Sequence, residues 1–264
     1  MKRFALFIFL SVISMTGQVV AEADDQALME RIALDPESSV LPVYQHRPIY
    51  GILGRHDAKI AFSFKAKIIE PADIYVGYTQ LMMWDVFNKS APLRDVNFNP
   101  EIFYRFAFGN DSAYWFDLGF YEHESNGFDG RNSRSWDRSY LRYHGYFEFS
   151  DFWHVLWNFK GWWGYRYDPG STDLMKYRGA WEFDVTLKNL VSWIFAADDL
   201  KLRIYPGDKY YMNPLTGGQE ITLRGKIRAK NFLPYLIFQI FHGYGENLLD
   251  YNQNHWSLRA GIGY

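Results

Sequence analysis

The chain has 264 residues, a formal net charge of −2, no cysteine and 20% aromatic side chains. Without cysteine it has neither a disulfide framework nor a thiolate metal site, and without a basic excess it lacks the usual electrostatic basis for nucleic-acid binding. Its mean hydropathy of −0.29 argues against a bundle of membrane-spanning helices. The length suits one large domain.

The N-terminus has the layout of a secretory signal peptide. A cationic start at residues 1–3 precedes an almost unbroken apolar run at 4–15, and small residues offer cleavage sites after Ala21 or Ala23. A retained membrane anchor is the alternative, but the apolar run is shorter than the ~20 residues that a spanning helix needs. We therefore predict a signal peptide over residues 1–21 and export of the mature chain.

The mature chain is predicted to have two parts. Residues 22–55, which are rich in acidic residues and proline, are expected to form a polar periplasmic extension, and residues 56–264 a single β domain. In that domain apolar and polar residues alternate with a period of two, as between Ile60 and Ile68, which is typical of strands with unlike faces. Eleven strands are predicted, at residues 60–68, 74–82, 102–108, 114–123, 141–149, 153–159, 181–187, 200–205, 220–228, 234–242 and 255–264.

The alternation fits two architectures. In a soluble sandwich the apolar faces fill a core, whereas in an outer-membrane barrel they meet lipid, and Arg142, Glu148, Lys160 and Glu182 line the lumen. The 20 tyrosines and 10 tryptophans favour the barrel, because such side chains suit membrane–water boundaries. We predict an antiparallel transmembrane β-barrel of about 12 strands. Its closure requires a twelfth strand that the alternation does not locate.

A histidine and a serine two residues apart carry the candidate chemistry. His123 and Ser125 continue the strand predicted at 114–123, so their side chains project to one face. A neutral imidazole beside a hydroxyl can act as its general base. Because such pairs arise often by chance, two polar residues at a strand mouth are the alternative.

Asp137 is the candidate third member of the site. It has the parity of the apolar, lipid-facing residues of its strand, where a lone carboxylate is costly. If the two strands form a hairpin, Asp137 comes close to His123 and can orient the base. Alternatively, Asp137 lies in water at the end of its strand and pairs with Arg134 or Arg138.

Several sequence blocks resemble the bacterial outer-membrane phospholipase A family. The main ones are His123-Glu124-Ser125-Asn126-Gly127, residues 133–138 and residues 243–252, and the similarity extends to residues 78–80 and 97–100. The resemblance implies a twelve-stranded barrel in the bacterial outer membrane, with its active site on the lipid-facing wall toward the cell-surface leaflet. It also implies release of fatty acids from phospholipids and lysophospholipids, with phospholipase A1 and A2 activity through an acyl-serine intermediate.

The resemblance assigns a role to each site residue. Ser125 is the nucleophile, His123 the general base and acid, and residue 137 the group that orients the histidine, while the Gly127 amide stabilises the oxyanion. The family commonly has Asn at the third position, where this sequence has Asp137. The orienting role is compatible with either residue, but the pH dependence of the reaction is then an open question.

The resemblance further implies calcium dependence and an active homodimer. Carried over by position, the calcium ligands are the side chain of Ser133, the backbone carbonyl of Phe128 and Ser90 of the partner subunit. Neutral oxygens of this kind suit a hard cation. Gln80 matches a family glutamine at the dimer contact.

Two other functions remain open at this point. One is a non-catalytic barrel, such as a porin, in which the His–Ser pair is vestigial. The other is a different surface acyl hydrolase such as a lipid A deacylase, which also pairs His with Ser. That family is shorter and lacks the block at residues 243–252, so it resembles the chain less.

Overall fold

The computed structural model describes residues 43–69, 72–107, 114–148, 153–191, 193–228 and 234–264. The predicted signal peptide and residues 22–42 of the predicted extension lie outside these described residues. Within them, every helix is too short or too polar to cross a membrane.

Antiparallel strands make up most of the described structure. They are β1 (Val43–Gln45), β2 (Tyr50–Gly54), β3 (Ala58–Ile69), β4 (Ile74–Trp84), β5 (Leu93–Ala107), β6 (Tyr114–Ser125), β7 (Ser135–Glu148), β8 (His154–Tyr167), β9 (Trp181–Lys188), β10 (Ala197–Gly207), β11 (Asn213–Lys226), β12 (Tyr235–Gly243) and β13 (His255–Gly263). One short helix, α1 (Met175–Arg178), lies between β8 and β9.

The strands β2 to β13 form a closed barrel of twelve strands. Each pairs with its neighbour in the chain, and β13 closes the ring on β2, with Arg259 opposite Gly54. The short β1 pairs with the same edge of β3 as β2 does, so β1 and β2 together are one interrupted strand. The predicted antiparallel barrel is therefore confirmed, and all eleven predicted segments overlap β3 to β13.

The twelfth strand lies in residues that the sequence assigned to a periplasmic extension. Residues 43–54 belong to the barrel, so the predicted boundary at residue 55 is wrong for them. Two glycines leave β2 with little alternation to recognise. Between β1 and β2 the chain turns toward the lumen, where His46 Nε2 contacts Glu101 Oε1 at 2.7 Å.

The two faces of the barrel differ in polarity. Of the four residues expected in the lumen, Arg142 and Lys160 are buried and Glu182 lines the lumen cavity. Glu148 is on the same face of β7 as Arg142, but it is exposed at the end of the strand, where it accepts a hydrogen bond from Tyr146 at 2.6 Å. The face turned away from the lumen, here called the outer wall, carries exposed apolar residues that include Leu118, Phe120, Leu141, Phe159, Trp163, Phe238, Ile240 and Leu258.

Charged pairs fill much of the lumen. Lys59 Nζ donates to Glu220 at 2.9 Å, to Gln239 at 2.8 Å and to Glu246 at 3.1 Å, and Glu246 also accepts from Arg259 at 2.5 Å. Buried charges are tolerated when each has such partners. The remaining space is a cavity of about 330 Å³.

Candidate active site

The hairpin of β6 and β7 brings His123 and Asp137 together. The two residues are directly opposite each other across the strand pair, and Ser125 is opposite Ser135. His123 Nδ1 lies 2.6 Å from Asp137 Oδ1, within hydrogen-bond distance. His123 and Ser125, two residues apart on β6, face the same side of the sheet.

A β-bulge in β6 turns His123 to the outer wall. The register shifts between Gly119 and Glu122, which leaves the consecutive residues Phe120 and Tyr121 both exposed. Beyond the bulge Glu122 is fully buried while His123 is partly exposed, so odd-numbered residues face outward there. Gly119 is required, because a Cβ at this position would lie 2.1 Å from the ring of Tyr140.

Asp137 is enclosed by three polar side chains although it lies on the outer wall. Its side chain is only 1% exposed. Besides His123, Tyr121 donates its hydroxyl to Oδ1 at 3.1 Å, and the guanidinium of Arg166 forms an ion pair with Oδ2. Sequence reasoning missed Arg166, because its position depends on a register shift in β8.

The two arginines proposed as alternative partners of Asp137 are bound elsewhere. Arg138 faces inward and donates to Glu122 at 2.6 and 2.9 Å. Arg134 donates to the backbone carbonyls of Arg131 and Ser133, both at 2.7 Å.

The turn after β6 holds Gly127 beside Ser125. Gly127 has φ of +69°, and a Cβ there would lie 3.0 Å from the ring of Phe98, which is directly opposite Ser125 on β5. Asn126 fixes this turn: its Nδ2 donates to the carbonyl of Asn132 at 2.9 Å, and its Oδ1 accepts from the amide of Arg134 at 3.0 Å. A positive φ next to a close aromatic ring favours glycine at position 127.

The candidate calcium ligands lie on two loops. Ser133 and Phe128 are both on the loop between β6 and β7, where the Ser133 hydroxyl donates to Asp168 Oδ2 at 2.8 Å. Ser90 lies in the turn between β4 and β5, with φ of +69°. In the part of the chain that the structure describes, no group of three or more His, Asp or Glu residues could hold a metal ion. The donors are hydroxyl and carbonyl oxygens near one carboxylate, which fits a hard cation.

The block at residues 243–252 supports the loops around the site. Its Leu248 amide donates to Asn97 Oδ1 at 3.0 Å and its Leu249 amide to Asp95 Oδ2 at 2.9 Å, both on β5. Tyr251 donates to Asp173 at 2.5 Å. The pKa of its phenol is raised mainly by burial and, second, by this hydrogen bond. The block is thus structural, a role that the sequence pattern alone did not reveal.

Comparison with known proteins places these features in context. A model of the phospholipase A1 family matches residues 42–263. Phospholipase A1 of Klebsiella pneumoniae is 33% identical over 70% of this chain and 60% of its own length. Phospholipase A1 of Escherichia coli K12 is 30% identical over 77% of this chain and 66% of its own. The chain thus spans less than two thirds of these relatives.

Solved structures share the fold. The Salmonella typhi outer membrane phospholipase, a dimer with bound calcium, superposes with a TM-score of 0.68 at 23% identity over 89% of this chain and 96% of that one. Outer membrane phospholipase A from Escherichia coli gives the same TM-score over 87% of this chain and 93% of that one.

Proposed function

This chain belongs to the phospholipase A1 family, and we propose that it is a calcium-dependent serine acyl hydrolase of the bacterial outer membrane. It releases fatty acids from phospholipids and lysophospholipids, with phospholipase A1 and A2 activity, and its site faces the cell-surface leaflet. The observation that carries the proposal is the 2.6 Å contact between His123 Nδ1 and Asp137 Oδ1. His123 is two residues from Ser125, and both lie on the outer wall, where lipid has access.

Each site residue then has a defined step. Because Asp137 binds Nδ1 of His123, Nε2 is left to take the proton of Ser125 as its Oγ attacks the ester carbonyl. The same nitrogen returns the proton to the leaving glycerol oxygen, and a water activated in the same way releases the fatty acid from the acyl-serine. The Gly127 amide donates to the oxyanion.

The test of this function is release of fatty acid by the purified full chain in detergent micelles with calcium. We expect release from phosphatidylethanolamine and from its lysophospholipid. Release from lipopolysaccharide alone would indicate a lipid A deacylase instead, and no release from either substrate would indicate a non-catalytic barrel.

Calcium would be held by Ser133, by the carbonyl of Phe128 and by Ser90 of the partner subunit. The bound ion would supply positive charge beside the developing oxyanion. Chelation with EDTA is therefore expected to reduce activity by at least about 100-fold, since loss of one oxyanion donor costs about that much. Ser133→Ala is expected to raise the calcium concentration for half-maximal activity about tenfold. Full activity in EDTA would contradict the metal assignment.

The homodimer is supported by the calcium-bound dimer of the Salmonella typhi protein. Gln80 is directly opposite Phe98, which is in turn directly opposite Ser125. A second copy docked over Gln80 would therefore lie beside the active site.

Asp137→Asn is expected to keep activity within about tenfold of the parent chain. The amide oxygen can still accept from Nδ1 of His123 and hold the productive tautomer, and the family commonly has Asn at this position. Fatty-acid release near neutral pH measures the effect. A loss of about 10⁴-fold, as occurs where the carboxylate itself is essential, would show that this protein depends on the charge.

A further inference from the structure

Arg166 is the charged neighbour of the site that the mechanism above leaves unused. It is 71% exposed in its side chain, yet its guanidinium forms an ion pair with Oδ2 of Asp137, which is 1% exposed. The same guanidinium donates to the hydroxyl of Tyr121 at 3.3 Å, and Tyr121 in turn donates to Asp137 Oδ1. The carboxylate is thus held on one oxygen by His123 and Tyr121 and on the other by Arg166.

A β-bulge puts Arg166 in this position. Along most of the β7–β8 pair the register is regular, with Arg138 opposite Gly164, and its continuation would place Tyr165 opposite Asp137. The register shifts by one residue at this point, so Arg166 is opposite Asp137 instead. Bulges of this kind commonly re-aim a side chain next to an active site.

The ion pair changes what His123 experiences. An unpaired carboxylate at this lipid-facing position is costly, and it would stabilise the protonated imidazole beside it. The Asp137–Arg166 pair has no net charge, while Asp137 still accepts the Nδ1 hydrogen bond. The pair therefore resembles a neutral acceptor such as an amide in its charge.

We propose that Arg166 is a positioning residue that neutralises Asp137, so that Asp137 orients His123 without adding net negative charge to the site. This inference rests on the proposed function only for its catalytic consequence. The charged or titratable side chains facing His123 are Tyr121 on its own strand, Asp137 on β7 and Arg166 on β8. On the other side, β5 presents Phe98 and Pro100.

The experiment is an NMR titration of the His123 ring in protein labelled with ¹⁵N-histidine in detergent micelles, which requires no turnover. Arg166→Met is introduced alone and together with Asp137→Asn. With Asp137 intact, we expect Arg166→Met to raise the titration midpoint of His123 by about one pH unit. In the Asp137→Asn background no carboxylate remains to be neutralised. Arg166→Met is there expected to raise the His123 midpoint by less than it does with Asp137 intact, or to leave that midpoint unchanged to within about 0.2 pH unit.

Activity measured across pH connects the titration to catalysis. Arg166→Met should move the acidic limb of the pH–activity profile upward with the NMR midpoint, because this limb reports the general base. Lys209→Met, which removes an exposed cation at the same end of the barrel, is the matched control and should move neither. Equal shifts in both backgrounds, or no shift with Asp137 intact, would overturn the inference. If the His123 midpoint shifted as expected in a protein that releases no fatty acid, only the proposed function would be overturned.

Discussion

Replacing Ser125 by alanine is expected to lower fatty-acid release from phosphatidylethanolamine by more than about 10⁴-fold. The hydroxyl is the only part of the chain that forms the acyl intermediate in the proposed mechanism, so its loss leaves His123 without a nucleophile to activate. The barrel should be unaffected, because Ser125 lies at the end of β6. Purified protein should still migrate faster on gels before heating than after, as folded outer-membrane barrels do.

Ser135 is the matched control for this substitution. It lies directly opposite Ser125 across the hairpin and two residues from Asp137, so it is the neighbouring hydroxyl on the same wall. Ser135→Ala is expected to keep activity within about threefold of the parent chain. If Ser135→Ala were inactive and Ser125→Ala active, the nucleophile would be Ser135 and the assignment of Ser125 would be wrong.

The barrel was predictable because its faces have unlike solvents. Alternation over long segments such as β3 and β7 predicts strands with unlike faces, and the many tyrosines and tryptophans favour a membrane barrel over a soluble sandwich. The interrupted first strand was not predictable. Its five-residue β2 is held in the ring by pairing with β13 and β3. The strand β13 is remote in sequence, and the pairing with β3 depends on the turn between the two strands.

The candidate site was predictable only in part. Spacing placed His123 and Ser125 on one face, and strand parity placed Asp137 outward. The two bulges were not visible in the sequence, because a bulge reflects how neighbouring strands pack. The glycines beside them, Gly119 and Gly164, are the local signal: a Cβ at either would lie 2.1 Å from a tyrosine side chain. That signal has meaning only once the facing tyrosine is known, and so Arg166 was missed.

A cluster of ion pairs inside the barrel supports the hairpin that carries the candidate site. Directly behind His123 and Asp137, Glu122 accepts from Arg138 at 2.6 and 2.9 Å, and Arg138 also donates to Glu124 at 2.9 Å. The Arg138 guanidinium lies 4.0 Å from the centre of the Trp136 ring. The side chains of Glu122, Arg138 and Trp136 are almost fully buried.

Arg138→Met is expected to lower the free energy of unfolding by about 3–5 kcal/mol, the usual cost of removing one partner from a buried ion pair. Methionine fills much of the space, so the effect comes mainly from the carboxylates of Glu122 and Glu124 losing their shared cation. Urea-induced unfolding in detergent, followed by tryptophan fluorescence, measures it. Arg55→Met, at an exposed arginine, should change the free energy by less than about 0.5 kcal/mol.

The double variant Glu124→Gln with Arg138→Met separates charge from packing. In it Glu122 still binds Lys160 at 2.6 Å, and both charges of the Glu124–Arg138 pair are removed, so less uncompensated charge remains buried. We expect the double variant to recover at least about 1 kcal/mol relative to Arg138→Met alone. If Arg138→Met cost less than about 1 kcal/mol, the inner network would not stabilise the hairpin. If the double variant recovered nothing, the loss would come from packing against Trp136 rather than from an unpaired carboxylate beneath His123.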